Sequence, residues 1–185
     1  MVIDNIDISK TCCFSGYRPH KFSFELSNNN QEFSKLESNI MVELLKSYDE
    51  GYDTFLCGGA MGFDIICGEM VLLCKERFKN IRLIGVFPFK NQHRSFTNNW
   101  NERYHSLVKN CNAVYYASEE YTTGCYMERN NIMVDNSSRV ITYFDGQSGG
   151  TARTLAYAQL KKREIVNVCK EIEVPKNLHF FIERG

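Results

Sequence analysis

Net charge is what this sequence most plainly lacks. Lysine plus arginine and aspartate plus glutamate number 22 each over 185 residues, so no overall field draws in a polyanion. Long nucleic acid is therefore not the expected partner, although a small anion can still be held locally by helix dipoles and one or two arginines. No apolar run approaches the ~20 residues that span a bilayer. A membrane role is not expected. Met1 to Asp7 carry no basic segment followed by an apolar run, so no secretory leader is read there and a reducing, cytoplasmic setting is expected. Cysteine is plentiful at eight, yet no pair shows the two-residue spacing of a zinc knuckle or redox motif. His20, His93, His105 and His179 are scattered. No metal site is expected, and Cys12, Cys13, Cys57, Cys67, Cys74, Cys111 and Cys169, all in apolar stretches, read as core thiols. Internal repeats are absent, and Asn28 to Asn30 is the sole low-complexity tract.

What is present is alternation. From Thr11 to Val168 short apolar runs give way repeatedly to helical spacing, which predicts an α/β domain around a largely parallel sheet. Strands are expected at Thr11–Ser15, Thr54–Cys57, Ile81–Phe87, Ala113–Tyr116, Arg139–Phe144 and Ile165–Val168, with Pro88 closing the third. Helices are expected over about 31–50, 63–78, 100–111, 124–136 and 151–163. Residues 11–168 read as one domain, and 169–185 as a C-terminal extension packed on or beside the sheet.

Two glycine-rich turns, Gly58-Gly59-Ala60-Met61-Gly62-Phe63-Asp64 and Ser148-Gly149-Gly150-Thr151, each stand between a strand and a helix. Free N–H groups of a helix's first turn lie at its positive dipole end, and glycine lets an anion approach them, so both helix N-termini are expected to face one anionic ligand. In an open parallel sheet such ligands lie beyond the carboxyl ends of the strands. Ser15-Gly16-Tyr17-Arg18, Phe87-Pro88 and Gln147 follow strand ends as well. Arg18 is a charged fork suited to phosphate, or else a surface ion-pair partner. Asp64 would accept from ribose hydroxyls or cap its own helix. Ser148 and Thr151 suit a phosphate and equally a helix cap. Phe87, Phe89 and Tyr17 would stack on a base or belong to the core. Arg129 and Asn130 reach the same crevice only if their helix crosses the strand ends.

At these residues the chain resembles the SLOG superfamily of nucleotide binders, related to DprA and LOG proteins, and most closely its YpsA-like branch. The resemblance spans about Thr11 to Val168 and is carried by residues 15–19, the Gly-Gly-Ala-x-Gly-x-Asp turn at 58–64, Arg129-Asn130 with Met133-Val134-Asp135, and Tyr143 to Gly146 leading into Gly149-Gly150-Thr151. It implies a doubly wound Rossmann-like fold, homo-oligomers, and a pocket for nucleotides or molecules such as ADP-ribose derivatives, with no further cofactor required.

Some relatives cleave the N-glycosidic bond of nucleoside monophosphates with a glutamate three residues after the threonine of a glycine turn. Here that position is Thr154, which cannot do a carboxylate's work, and the turn is one residue shorter. Glu128 or Asp64 could supply a displaced acid. The expected function is accordingly non-catalytic capture of a nucleotide-derived signal, of ADP-ribose or cyclic-nucleotide type, by a sensor or a sequestering sponge in bacterial or phage defence. The alternatives are a nucleoside monophosphate N-glycosidase and a DprA-like single-stranded DNA binder.

Overall fold

The computed structural model describes residues 1–170, apart from the side chain of Asn98. Six strands, β1 (Thr11–Ser15), β2 (Thr54–Cys57), β3 (Arg82–Phe89), β4 (Ala113–Ser118), β5 (Arg139–Thr142) and β6 (Glu164–Asn167), form one sheet in the order β4-β3-β2-β1-β5-β6. Every pairing is parallel. Five helices alternate with them: α1 (Gln31–Asp49), α2 (Phe63–Arg77), α3 (Asn98–Asn110), α4 (Cys125–Asp135) and α5 (Gly150–Leu160). This is the doubly wound, Rossmann-like α/β architecture.

The central strands are apolar on both faces because both are covered. Cys12, Phe14, Phe55, Cys57 and Leu83 pack into one cluster with Phe33, Leu36, Ile40 and Leu44 of α1, Ile66, Cys67 and Val71 of α2, and Leu107 of α3. Their neighbours Cys13, Leu56, Ile84 and Val140 point the other way, onto Ile132 and Met133 of α4 and Leu155 and Ala158 of α5. The period of two thus divides the core into two layers. Asn30 caps α1 by accepting from the N–H groups of Glu32 and Phe33. Cys12, Cys13, Cys57, Cys67, Cys74 and Cys125 are buried free thiols, and Cys111 and Cys169 are free and half-buried.

Among the boundaries that differ from expectation, two have a clear physical cause. Pro88 lies inside β3, which continues to Phe89 opposite Ser118 of β4. On the other side β2 ends at Cys57, opposite Gly85, so this extension is paired along one edge, where a missing N–H is tolerated. β5 ends at Thr142 rather than Phe144. The chain leaves the sheet there because the Tyr143 ring turns into an aromatic cluster with Tyr17, Phe22 and Phe24. Of the expected C-terminal extension, residues 171–185 lie outside the described residues. Asn39 of α1 donates to the carbonyls of Val168 and Lys170, holding the chain that follows β6 against α1.

Candidate functional site

From β1 the chain winds through β2 and β3 to β4 on one side, and β5 and β6 lie on the other, so strand order reverses between β1 and β5. The connections leaving these two neighbours part there and open a crevice at their carboxyl ends. A cleft of about 210 Å³ occupies the spot. Its walls include Ser15, Gly16, Tyr17 and Arg18 after β1, Ala60 and Asp64 after β2, Arg129 and Asn130 from α4, and Gly150 and Thr151 at the start of α5.

The floor is a buried ion pair. Arg129 Nη1 donates to Asp64 Oδ2 at 3.2 Å, with both side chains at most 7% exposed. Burial pushes the Asp64 carboxyl above its ordinary value, while Arg129 and Arg18 pull it back toward the charged form. Gly58 makes room for the pair: a Cβ there would sit 1.3 Å from Arg129 Nη1 and 2.6 Å from Asp64 Oδ2. Arg129 Nε is buried without a hydrogen-bond partner, in a side chain that lines the cleft. Arg18 is held half-buried at the wall, where burial lowers its pKa against the attraction of Asp64, and an arginine so placed keeps its charge.

The two glycine turns behave differently. At α5, Gly149 is the N-cap with φ of 142° and no side-chain cap, and a Cβ on Gly150 would meet nothing within 4 Å. This N-terminus opens on the cleft. At α2 the Phe63 N–H donates to the Tyr17 carbonyl at 3.0 Å and the Ile65 N–H to Ala60, so the first turn is closed by the chain following β1. Gly62, with φ of 92°, sits where a Cβ would lie 2.5 Å from that carbonyl. Of the two helix ends expected to face one ligand, only that of α5 opens on the cleft, and tertiary packing consumes the other.

Several expected residues stand behind the cleft rather than in it. Gly58, Gly59, Met61 and Gly62 shape the turn. Phe87 is fully buried against Tyr104 and Tyr116 and cannot stack on a ligand, and Pro88 is buried in β3. The Tyr17 ring is enclosed by Phe22, Tyr143 and Phe144. Its hydroxyl donates to Asp145 Oδ1 and accepts from the N–H groups of Asp145 and Gln147, which orders the loop before α5. Gln147 donates to the Lys21 carbonyl, and the Ser148 carbonyl accepts from Lys21 Nζ at 2.6 Å.

Lys21 itself lines the cleft, as do Phe14 and Tyr126. Sequence reasoning missed all three. Lys21 arrives through the 3₁₀ turn Pro19–Lys21, to which the Arg18-Pro19 dipeptide was the local clue. Tyr126 lies in the first turn of α4, whose placement across the strand ends no local pattern specifies. Thr151 donates to the Gly16 carbonyl, tying α5 to β1. Thr154 donates to the Gly150 carbonyl and accepts from Asn130 Nδ2 at 2.8 Å. Its hydroxyl has a structural role. Glu128 is exposed on α4 and is not among the cleft residues.

A larger groove of about 580 Å³ runs along α1 and the end of β6. Its charges, Glu32 and Lys35, face each other at 2.9 Å. It lacks the converging cations and open helix end of the switch-point cleft. Among the described residues no cluster of three or more potential metal ligands occurs, and no helix is long and apolar enough to cross a membrane.

Comparison with known proteins agrees with this architecture. A UPF0398 protein of Halalkalibacterium halodurans is 22% identical over 144 residues, covering 77% of this chain and 76% of the relative. The SPbeta prophage-derived protein YoqJ of Bacillus subtilis is 24% identical over 144 residues, covering 70% and 84%. Among solved structures, DNA processing protein A (DprA) from Streptococcus pneumoniae superposes with a TM-score of 0.57 at 17% identity, over 96% of this chain and 57% of that one. The Helicobacter pylori protein gives 0.58 at 17% identity, over 95% and 72%. This chain thus spans less than two thirds of the pneumococcal protein. These likenesses show the shared fold.

They also correct one expectation. The H. pylori protein of this fold binds single-stranded DNA, so a net charge of zero does not make long nucleic acid an unlikely partner here. Screening confines electrostatic attraction to about 10 Å, so cations gathered on one face act on a strand whatever the total charge. The model of the YspA SLOG family (YpsA) matches residues 12–173, nearly the whole described chain, and the protein belongs to that family.

Proposed function

We propose that the switch-point cleft captures a nucleotide-derived small molecule by its phosphate, without turning it over. The observation that carries this reading is the convergence of Arg18, Lys21 and Arg129 on the open end of α5, with Asp64 the one acidic side chain in the lining. Three cations less one carboxylate leave a formal charge of +2. That balance suits a phosphomonoester dianion or a diphosphate. Arg129 Nε, buried and unpartnered, is a donor waiting for an acceptor.

Non-catalytic capture is favoured by the acids available. Asp64 is committed to Arg129, Glu128 is outside the cleft, and Thr154 stands where related hydrolases carry glutamate. The finer reading is a sensor or sponge for an ADP-ribose or cyclic-nucleotide type signal. Titration calorimetry with a nucleotide panel, followed by mass spectrometry of the ligand recovered on heating, tests it. Intact ligand is expected, with affinity reduced about 10- to 100-fold in Arg18→Ala, as for loss of one charged hydrogen-bonding group. Release of free base would overturn it. The DprA fold likeness favours a second reading, in which the same cations hold the backbone of a single DNA strand. Binding of an oligonucleotide that weakens steeply with added salt would select that alternative.

A further inference from the structure

We infer that a row of aromatic rings beside the cleft is a base-binding subsite, which takes the nucleobase of the ligand whose phosphate the cleft holds. This rests on the phosphate reading above.

The cleft is too small for a base together with its sugar and phosphate. At about 210 Å³ it falls below the range of roughly 300–1,000 Å³ usual for pockets that enclose a whole small molecule. Tyr17, an aromatic of its wall, is packed on its ring by three other rings. A base tethered to a phosphate at Arg18 must therefore lie outside.

One wall leads out to a stacking surface. The Arg18 guanidinium stands 5.6 Å from the centroid of Tyr126, which lines the cleft. Tyr126 meets Phe89 at 5.9 Å and 79°, and Phe89 meets Tyr121 at 5.7 Å and 80°. Three separate stretches supply these rings: the end of β3, the loop after β4, and the first turn of α4. Tyr121 is 65% exposed, and the other large exposed apolar side chains among the described residues are aliphatic. Two contacts fix the loops: the Lys90 N–H donates to the Glu119 carbonyl, and Lys90 Nζ pairs with Glu119. An aromatic row held edge to face, wet at one end and joined to a guanidinium at the other, offers π surface to any base and most to a purine.

The test compares adenosine 5′-monophosphate with ribose 5-phosphate, which keeps the phosphate and sugar but lacks the base. The wild-type protein should bind the nucleotide about 5- to 150-fold more tightly, the range expected for one stacked base. The double variant Phe89→Leu, Tyr121→Ala should bring the nucleotide down to the affinity of ribose 5-phosphate and leave ribose 5-phosphate unchanged. Tyr121→Phe in an otherwise wild-type chain should retain the preference, since the ring remains. Equal wild-type affinity for both probes, or equal loss of both in the double variant, overturns the base subsite. Failure of both probes to bind wild-type protein overturns the phosphate reading and the subsite with it.

Discussion

Replacing Gly58 with alanine should unseat the ion pair under the cleft. The added Cβ would lie 1.3 Å from Arg129 Nη1 and 2.4 Å from Cζ, far inside contact distance. Gly58 has no positive φ, so the substitution brings no backbone strain of its own. The guanidinium must move, which leaves the Asp64 carboxylate buried and unpaired at the start of α2. Breaking a buried pair from one side costs about 3–5 kcal/mol. For a chain of this size that is a fall in Tm of roughly 6–20 °C.

Urea unfolding of four proteins separates this mechanism from general disruption: wild type, Gly58→Ala, Arg129→Ala and the double variant. If the methyl acts by displacing Arg129, most of its cost should go once Arg129 is gone, leaving the 2.6 Å approach to Asp64 Oδ2, and the coupling should be about 2–3 kcal/mol, near the upper end for residues in contact. Phosphate affinity should fall in Gly58→Ala together with stability. Simple additivity of the two substitutions, or a Gly58→Ala loss below about 1 kcal/mol (less than is usual for a broken buried pair), would refute the reasoning.

Tyr17→Phe removes the hydroxyl shared by Asp145 and Gln147 and should cost about 0.5–1.5 kcal/mol, the net worth of an ordinary hydrogen bond, because both partners are exposed to water, as read by denaturant midpoint. It should also change the acid limb of stability. The Tyr17 hydrogen bond is the chief cause that holds Asp145 below its ordinary 3.8, so that contribution is full above about pH 4 and is lost as pH falls through the lowered folded value. The variant's acid limb should be shallower, and an unchanged limb would contradict the assignment. At the opposite end of β5, Arg139 faces Glu43, Glu50 and Glu164 and lies 4.3 Å from the centroid of the Tyr52 ring. Arg139→Met strands the buried Glu43 and should cost about 3–5 kcal/mol, without altering ligand affinity, because this network sits at the amino-terminal end of the sheet.

Much of this molecule could be read along the chain. Apolar runs within 11–15, 54–57 and 139–142 became central strands because a strand buried on both faces is apolar along its middle, with Thr11, Ser15, Thr54, Arg139 and Thr142 at the strand ends. Helical spacing at Phe33, Leu36, Ile40 and Leu44 became the inner face of α1 for an equally local reason. Once strand–helix alternation is legible, parallel pairing and a crevice at the strand ends follow, and Ser15 to Arg18 and Gly150-Thr151 line that crevice.

The tertiary structure alone decided which of those residues face the crevice. Gly58, Gly59 and Gly62 look like a phosphate loop in sequence, but their missing Cβ atoms make room for Arg129, Phe87 and the Tyr17 carbonyl. Glycine next to a helix reports that something approaches closely, without saying whether that is a ligand or the chain itself. Phe87 was equally ambiguous until Tyr104 and Tyr116 closed over it. Lys21 and Tyr126 were invisible for the complementary reason. Their roles depend on contacts between segments more than one hundred residues apart, such as Lys21 with Ser148 and Arg18 with Tyr126. Local patterning determines the elements and the layers, whereas the electrostatics and the aromatic edge of the cleft arise from side chains that meet only when the sheet is assembled.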